Sequence, residues 1–332
     1  MHIAINGWFV GGVTAGSGQY IEHLLTHLPR QAPETRFSLL LPARTSAEIG
    51  QGRAAWPGID VRTAPLIGLP THAAKVWWEQ ITMPRLARQV GADVLWVPYW
   101  AAPWWQPLPV AVTVHDLIPR LLPAYRGGWL QRLYTALVSQ TARRSAAVLT
   151  VSQASARDIV QQLGIPGERV HVVYHGSNHA EAADLDAQQL AVIRQKYSLP
   201  ARFFLYLGGF DVRKNIRTTL HAYRRYLEQG GDPSVKLVIA GRLPQVDSAF
   251  TPDPQIIAAA LNLLNQVHFC GFVTDEDKPA LYALSTAYIF PSLYEGFGMM
   301  VLEAMGAGTP VITSAGNVAN LVTINGQRKP GV

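Results

Sequence analysis

Charged residues are scarce in this chain. Asp, Glu, Lys and Arg make up 15% of its 332 residues, against 48% apolar. That balance excludes a self-repelling, disordered polymer and leaves material for sizeable cores. At this length two domains are expected. Cysteine is nearly missing: the single Cys270 excludes an intrachain disulfide and fits a reducing compartment. Acidic residues are absent from one long stretch, Leu117 to Arg157. Between Gln80 and Arg157, Arg85, Arg88, Arg120, Arg126, Arg132, Arg143, Arg144 and Arg157 stand against only Asp93 and Asp116, which accounts for the whole net charge of +6. Such an excess attracts an anionic partner (a membrane surface, a phosphorylated substrate or a nucleic acid), or it is a solvated arginine face. No nucleic-acid recognition motif accompanies it, so no nucleic-acid partner is expected.

An uninterrupted membrane span is also missing. Val94 to Val114 carries no charge, but Pro98, Pro103, Pro107 and Pro109 lie inside it. Four prolines suit two buried strands joined by a Trp/Pro loop better than a spanning helix. Met1 to Gly18 lacks a basic start, and Asn6-Gly7 and Gly11-Gly12 break its apolar run. It reads as a first strand and a glycine loop, not a signal peptide.

What is present is alternation. Short apolar runs of strand type fall at His2–Asn6, Phe37–Leu41, Ile59–Arg62, Val94–Val97, Val110–Val114, Ala147–Val151 and Val170–Tyr174. Helical stretches lie between them at Gln19–Leu28, Ala74–Val90, Trp129–Arg144 and Gln153–Leu163, the last capped by Ser152. The second half repeats the pattern with strands at Phe203–Leu207, Val235–Ala240, Val267–Cys270, Ala287–Phe290 and Val311–Ile312. Its helices are expected near Ile216–Leu227, Gln255–Asn265, Asp275–Leu284 and Gly298–Ala307. Continuous apolar strands with helical crossovers imply parallel sheets buried on both faces. The expected class is α/β, with two doubly wound domains: residues 1–175, a polar linker 176–200, and residues 201–332. Ligands in such sheets bind at the carboxyl ends of the strands.

Three loops at those ends carry chemistry. Gly11 to Gly18 (GGVTAGSG) follows the first strand and opens a helix, which suits a phosphate. A dinucleotide oxidoreductase is disfavoured. Ile21 stands where a third glycine belongs, and the second strand ends in Leu41-Pro42 without a ribose-binding acid. Arg213 and Lys214 follow the strand Phe203–Leu207, a cationic pair suited to a diphosphate or a surface charge pair. The most informative stretch is PSLYEGFGMMVLEAM, residues 291–305. It sets Glu295 in a glycine-bounded turn and Glu303 on the apolar helix after it. A carboxylate in that setting needs hydroxyl or cationic partners. The amides of Gly296, Phe297 and Gly298 stand at the helix start and attract phosphate. His115-Asp116 ends the strand Val110–Val114, a ligand-facing position. His171, His175 and His179 are four apart, but on a strand that spacing does not cluster side chains, so no metal site is expected.

The E-x7-E block of Glu295 and Glu303, Arg213-Lys214-Asn215, the strand-end His115-Asp116 and the early GSGQY loop together resemble retaining glycosyltransferases of family 4. The resemblance runs from about residue 1 to about 314. It implies the GT-B fold: two Rossmann-like domains facing across a cleft. It also implies site roles. Arg213 and Lys214 contact the donor diphosphate, and Gly16 and Gly18 bring backbone to it. Glu303 binds the ribose, while Gly271, Phe272 and Val273 hold the base. Glu295 meets the donor sugar, with the Phe297 and Gly298 amides near sugar and phosphate. His115 lies beside the transferred sugar. The implied reaction retains anomeric configuration and uses neither metal nor cofactor, the nucleotide sugar being a co-substrate. GDP-mannose is the expected donor, and a glycan or polyprenyl-linked glycan the expected acceptor. A cytoplasmic location is expected, peripheral on the inner face of the cell membrane.

Two departures stand out. Where the family usually carries an arginine soon after the strand, Gly209 and Phe210 are found, and Arg213 is expected to stand in. After PVITS the chain continues as AGNVANLVTINGQRKPGV, without the family's further helices, so the second domain is expected to be incomplete. A non-catalytic nucleotide-binding remnant is therefore the alternative function. Six of the nine tryptophans fall between Trp77 and Trp105, which suits interfacial membrane contact, sugar stacking or a large core.

Overall fold

The computed structural model describes residues 1–11, 16–43, 56–66, 68–176 and 185–314. The chain divides into two compact units, Met1–Val173 and Tyr174–Val332. The stretch 315–332, expected to be aberrant, lies outside the described residues, as do Gly12 to Ala15 of the glycine loop.

The first unit is built on a seven-stranded sheet in the order β3-β2-β1-β4-β5-β6-β7. These strands are β1 (His2–Asn6), β2 (Arg36–Pro42), β3 (Ile59–Ala64), β4 (Val94–Val97), β5 (Val110–Thr113), β6 (Ala147–Thr150) and β7 (Val170–Val172). All pairings are parallel. The apolar run Phe37–Leu41 is buried on both faces of β2, as continuous rather than alternating hydrophobicity requires. Helices α1 (Gly16–Gln31), α5 (Trp129–Arg144) and α6 (Gln153–Leu163) lie in the crossovers. Ser152 caps α6 by accepting from the Ser155 amide, as expected.

The stretch expected as one helix over Ala74–Val90 is three pieces: α2 (Thr71–Trp77), a π turn (Trp78–Thr82) and α3 (Met83–Gln89). Pro84 explains the break. Its ring cannot donate to the carbonyl four residues back and clashes with it. The Met83 amide instead reaches the Trp78 carbonyl, one residue further, which closes the wide turn. The short α4 (Ile118–Leu121) follows β5.

The second unit has a five-stranded parallel sheet in the order β10-β9-β8-β11-β12. Its strands are β8 (Arg202–Leu207), β9 (Val235–Ala240), β10 (Val267–Gly271), β11 (Ala287–Phe290) and β12 (Val311–Thr313). Its helices are α7 (Ala187–Lys196), α8 (Ile216–Glu228), α9 (Pro254–Ala260), α10 (Lys278–Leu284) and α11 (Met299–Gly306). α7 falls in the stretch expected as linker. A capping box of Asp186 and Gln189 starts it, and Lys196 and Tyr197 at its end both reach Asp277 Oδ2 at 2.6 Å. α9 stops at Ala260, short of the expected Asn265, where Asn262 takes a left-handed φ of 57°. α10 starts at Lys278, with Pro279 at its second position, rather than at Asp275.

Each sheet has one place where the strand order reverses: β1 beside β4 in the first, β8 beside β11 in the second. The loops leaving neighbouring strands part there, and a crevice opens at their carboxyl ends.

Candidate active site

In the second unit, the loops at the switch point are 208–215 after β8 and 291–298 after β11. They are laced together. The Leu293 amide donates to the Arg213 carbonyl at 2.8 Å, and Asn215 Nδ2 donates to the Pro291 carbonyl at 3.1 Å. Asn215 can do so because it adopts a left-handed φ of 58° just before α8. At the seam three expected site residues converge. Lys214 Nζ lies 2.8 Å from Glu295 Oε1, and Arg213 Nη1 lies 2.5 Å from Glu295 Oε2. Arg213 also lies 3.5 Å from Asp211 Oδ1 and donates to the Tyr294 carbonyl. All three converging side chains are largely buried, at 11–17% exposed. Partial desolvation strengthens these pairs relative to surface ones. Two cations here answer two carboxylates, so the cluster is neutral.

Phe297 and Gly298 continue the same loop. Gly298 has φ of 92° and forms the cap of α11, a conformation a side chain would strain. Phe297 is buried, with the His175 ring edge-on at 5.0 Å. Glu303, further along α11, is 6% exposed. It accepts from Tyr282 Oη at 3.2 Å. Burial, reinforced by the Glu303 charge, pushes the Tyr282 phenol well up, so it remains a donor. Spacing gave no sign of Tyr282, which lies on α10, 21 residues upstream.

Gly271 ends β10, the edge strand, and Phe272 and Val273 follow it. The Gly241 amide donates to the Gly271 carbonyl at 2.8 Å. A Cβ on Gly241 would sit 2.3 Å from the Gly208 carbonyl oxygen, so the ends of β8 and β9 close up only because position 241 is glycine. Val273 is buried. Phe272 is 61% exposed, with the Arg242 guanidinium 5.4 Å above its ring.

In the first unit, His115 follows β5. Its Nε2 faces the Pro98 carbonyl at 3.3 Å, and the Tyr20 ring meets its ring edge-on at 4.8 Å. Tyr20 belongs to the first turns of α1, so the expected GSGQY segment and His115 are neighbours. Gly16 opens α1 and Gly18 is buried in it. Burial lowers the His115 pKa, with the Pro98 carbonyl opposing. Asp116 Oδ1 accepts from the Ile118 amide, a local turn contact.

Sequence reasoning missed a polar network at the β1–β4 switch point. Glu79, on the π turn, is fully buried and paired with Lys75. Tyr134 Oη donates to Glu79 Oε2 at 2.9 Å and accepts from Lys75 Nζ at 2.8 Å. Asn6, the last residue of β1, donates to Tyr99 Oη at 2.7 Å and accepts from Trp78 Nε1 at 2.9 Å. Lys75 Nζ lies 5.7, 5.1 and 4.9 Å from the ring centres of Phe9, Tyr99 and Tyr134. The i,i+4 spacing of Lys75 and Glu79 was the available signal. Of the tryptophan cluster, Trp78 is fully buried, and Trp96 and Trp100 are half-buried with their indole N–H groups bonded. Trp77, Trp104 and Trp105 are exposed. His179 lies outside the described residues.

The model of Glycosyltransferase Family 4 matches residues 14–181, and that of Glycosyl transferases group 1 matches residues 192–331. The chain belongs to glycosyltransferase family 4. The serotype-specific mannosyltransferase WbdA of Escherichia coli is 31% identical over 227 residues, 64% of this chain and 26% of that protein. O-antigen chain mannosyltransferase B of E. coli is 30% identical over 215 residues, 64% of this chain and 54% of that protein. The chain thus spans from about a quarter to about half the length of these relatives. Anabaena HepE, solved with UDP and glucose, superposes with a TM-score of 0.65 at 19% identity, covering 94% of this chain and 80% of that one. WaaG, a glycosyltransferase involved in lipopolysaccharide biosynthesis, gives 0.60 at 15% identity, covering 94% and 81%. These likenesses establish a GT-B fold. The family member described here carries its ion-paired cluster at the switch point of the second sheet.

Proposed function

We propose that the chain transfers a glycosyl residue from a nucleotide sugar to a glycan or polyprenyl-linked acceptor, with retention of anomeric configuration. The observation that carries this reading is the convergence of Arg213 and Lys214 on Glu295 at the switch point of the second sheet. The bond from the anomeric carbon to the β-phosphate oxygen breaks, and negative charge collects on the departing nucleoside diphosphate. Lys214, Arg213 and the amides of Phe297 and Gly298 stabilise that charge, with Gly16 and Gly18 supplying further backbone. The acceptor hydroxyl attacks the same face of the sugar, and its proton leaves on the departing phosphate oxygen. No enzyme nucleophile is assigned, and neither a metal nor a resident cofactor is invoked.

Glu303 takes the ribose hydroxyls, with Tyr282 holding the carboxylate in place. Gly271, Phe272 and Val273 frame the base. Glu295 accepts from the donor sugar's hydroxyls, and His115 stands beside the transferred sugar. The mannosyltransferase names of the relatives support mannose, and GDP-mannose is the donor proposed. Nucleotide-sugar chemistry and a lone cysteine support a cytoplasmic location, at the inner face of the membrane. Among the described residues no helix is long and apolar enough to cross a membrane.

A thermal-shift screen against GDP-, UDP-, ADP- and dTDP-sugars tests the donor. A ligand at about a hundred times its dissociation constant adds about 2.7 kcal/mol. The melting point should then rise by several degrees with the GDP sugar, and less in Glu303→Ala. Turnover of that donor completes the test. A shift without turnover would favour a non-catalytic nucleotide-binding protein, and no shift with any nucleotide would overturn the reading.

A further inference from the structure

α5 presents its apolar side chains outward where it begins. Trp129, Leu130 and Leu133 are 72%, 63% and 62% exposed. Their spacing puts all three on one side of the helix, while Val138, Ser139, Thr141 and Ala142 face the core. A solvated helix face is normally polar, so three large apolar groups side by side mark a contact surface. Arginines frame them. Arg132 borders the stripe on α5, Arg126 precedes it by one turn, and Arg120 lies on the same connection; all three are exposed. No acidic residue occurs from Leu117 to Arg157, and the first turn of α5 has none to offset its positive dipole end. The connection leaves the carboxyl end of β5 and begins at His115, so the start of α5 stands at the ligand-facing edge of the first sheet.

We propose that the segment from Arg120 to Leu133 docks on an anionic lipid surface. Trp129, Leu130 and Leu133 enter the headgroup boundary, and Arg120, Arg126 and Arg132 pair with lipid phosphates. The charge selects a lipid surface over an apolar protein partner, because the arginines ring the apolar stripe as snorkelling cations do in interfacial helices. This relocates the membrane contact from the tryptophan cluster at Trp77–Trp105, half of which (Trp78, Trp96 and Trp100) is buried or half-buried with its indole N–H groups bonded, to the start of α5. Docking itself stands apart from the glycosyl-transfer reading. Its purpose rests on that reading: a lipid-linked acceptor would arrive at the edge where His115 stands.

The test is co-sedimentation of the full chain with vesicles of phosphatidylcholine alone or mixed with phosphatidylglycerol. Binding should need the anionic lipid and weaken at high salt. Each arginine near such a surface contributes about fivefold in affinity, so Arg126→Gln with Arg132→Gln should lose about 25-fold. Leu130→Ser with Leu133→Ser should also release the protein. Both pairs are exposed, so melting should be unchanged, and transfer to a short water-soluble acceptor should persist. Equal binding to neutral vesicles would overturn the proposal, as would variants that bind like the parent. So would a lipid-free dimer that Leu130→Ser with Leu133→Ser dissolves, since the stripe would then face a second copy. Loss of transfer with vesicle binding intact would count against the glycosyl-transfer reading alone.

Discussion

Lys214 and Glu295 lie 81 residues apart in the chain and meet at 2.8 Å. They meet because β8 and β11 are neighbours in the sheet although not in sequence, and because the loops leaving both strands are hydrogen-bonded to each other, Leu293 to Arg213 and Asn215 to Pro291. Arg213 closes on the other carboxylate oxygen. The carboxylate thus holds both cations at the seam of the two loops, where the proposed function puts the donor diphosphate.

Lys214→Ala should therefore weaken nucleotide-sugar binding with little effect on folding. Arg213 still answers Glu295, so no buried charge is stranded. A hydrogen bond to a charged group contributes about 1.5–3 kcal/mol, which is roughly 10- to 150-fold in dissociation constant. Calorimetric titration of parent and variant with the preferred nucleoside diphosphate checks this. Equal affinity would remove Lys214 from the phosphate site.

Glu295→Gln should act in opposite directions on product and on turnover. Without the carboxylate, Arg213 and Lys214 keep a net positive charge that favours a free nucleoside diphosphate. Transfer should fall, because the acceptor for the donor sugar's hydroxyls is gone. Two cations left facing a neutral group should cost about 1–3 kcal/mol, lowering the melting point by several degrees. Added diphosphate should restore more of the melting point in the variant than in the parent. A variant that binds the diphosphate more weakly than the parent would contradict this.

The elements of this fold were legible where hydrophobicity was continuous. The run Phe37–Leu41 reads as a strand buried on both faces, and AYIFPSLYEGFGMM, residues 287–300, marks a strand, a turn and a helix start in order. The α2–α3 break is hard to read from periodicity, because the buried apolar positions Ala74, Trp78, Met83 and Ala87 recur at near-helical spacing through it; Pro84 is the one local clue. α7 is polar enough in composition to pass for linker, and only the capping box of Asp186 and Gln189 marks it as a helix. The partners of two site residues, Glu303 and His115, are not legible for a different reason. Tyr282 meets Glu303 through the packing of α10 on α11, and Tyr20 meets His115 because β1 and β5 lie in one sheet; no local spacing encodes either contact.

His115 should make stability fall on acidification. Burial lowers its pKa below the ordinary value, so the unfolded chain takes the proton first as pH drops. The sign is then fixed: this contribution is fully present above about pH 6.5 and is lost as pH falls towards the lowered native value. Melting curves of the parent and His115→Gln from pH 7.5 to 5 should differ in slope, with the variant flatter. Parallel curves would show that the imidazole stays solvated.

The Lys75–Glu79 pair should behave as a buried ion pair whose halves cannot be removed separately. Glu79 has no exposed surface, and the Lys75 side chain is 20% exposed. Burial raises the Glu79 pKa, while the Lys75 charge and the hydrogen bonds from Lys75, Tyr134 and Tyr99 oppose it. Lys75→Met alone strands a carboxylate among Trp78, Tyr99 and Tyr134 and should cost about 3–5 kcal/mol. Glu79→Leu alone leaves the ammonium facing aromatic rings, which recover only part of its lost pairing. Lys75→Met with Glu79→Leu removes both charges from a site already lined by aromatic groups, and should lose less than either single change. Denaturant unfolding of the three variants decides it. Additive losses would mean that the two charges do not depend on each other, and that the hydrogen bonds of Tyr99 and Tyr134 carry the stability of this crevice instead.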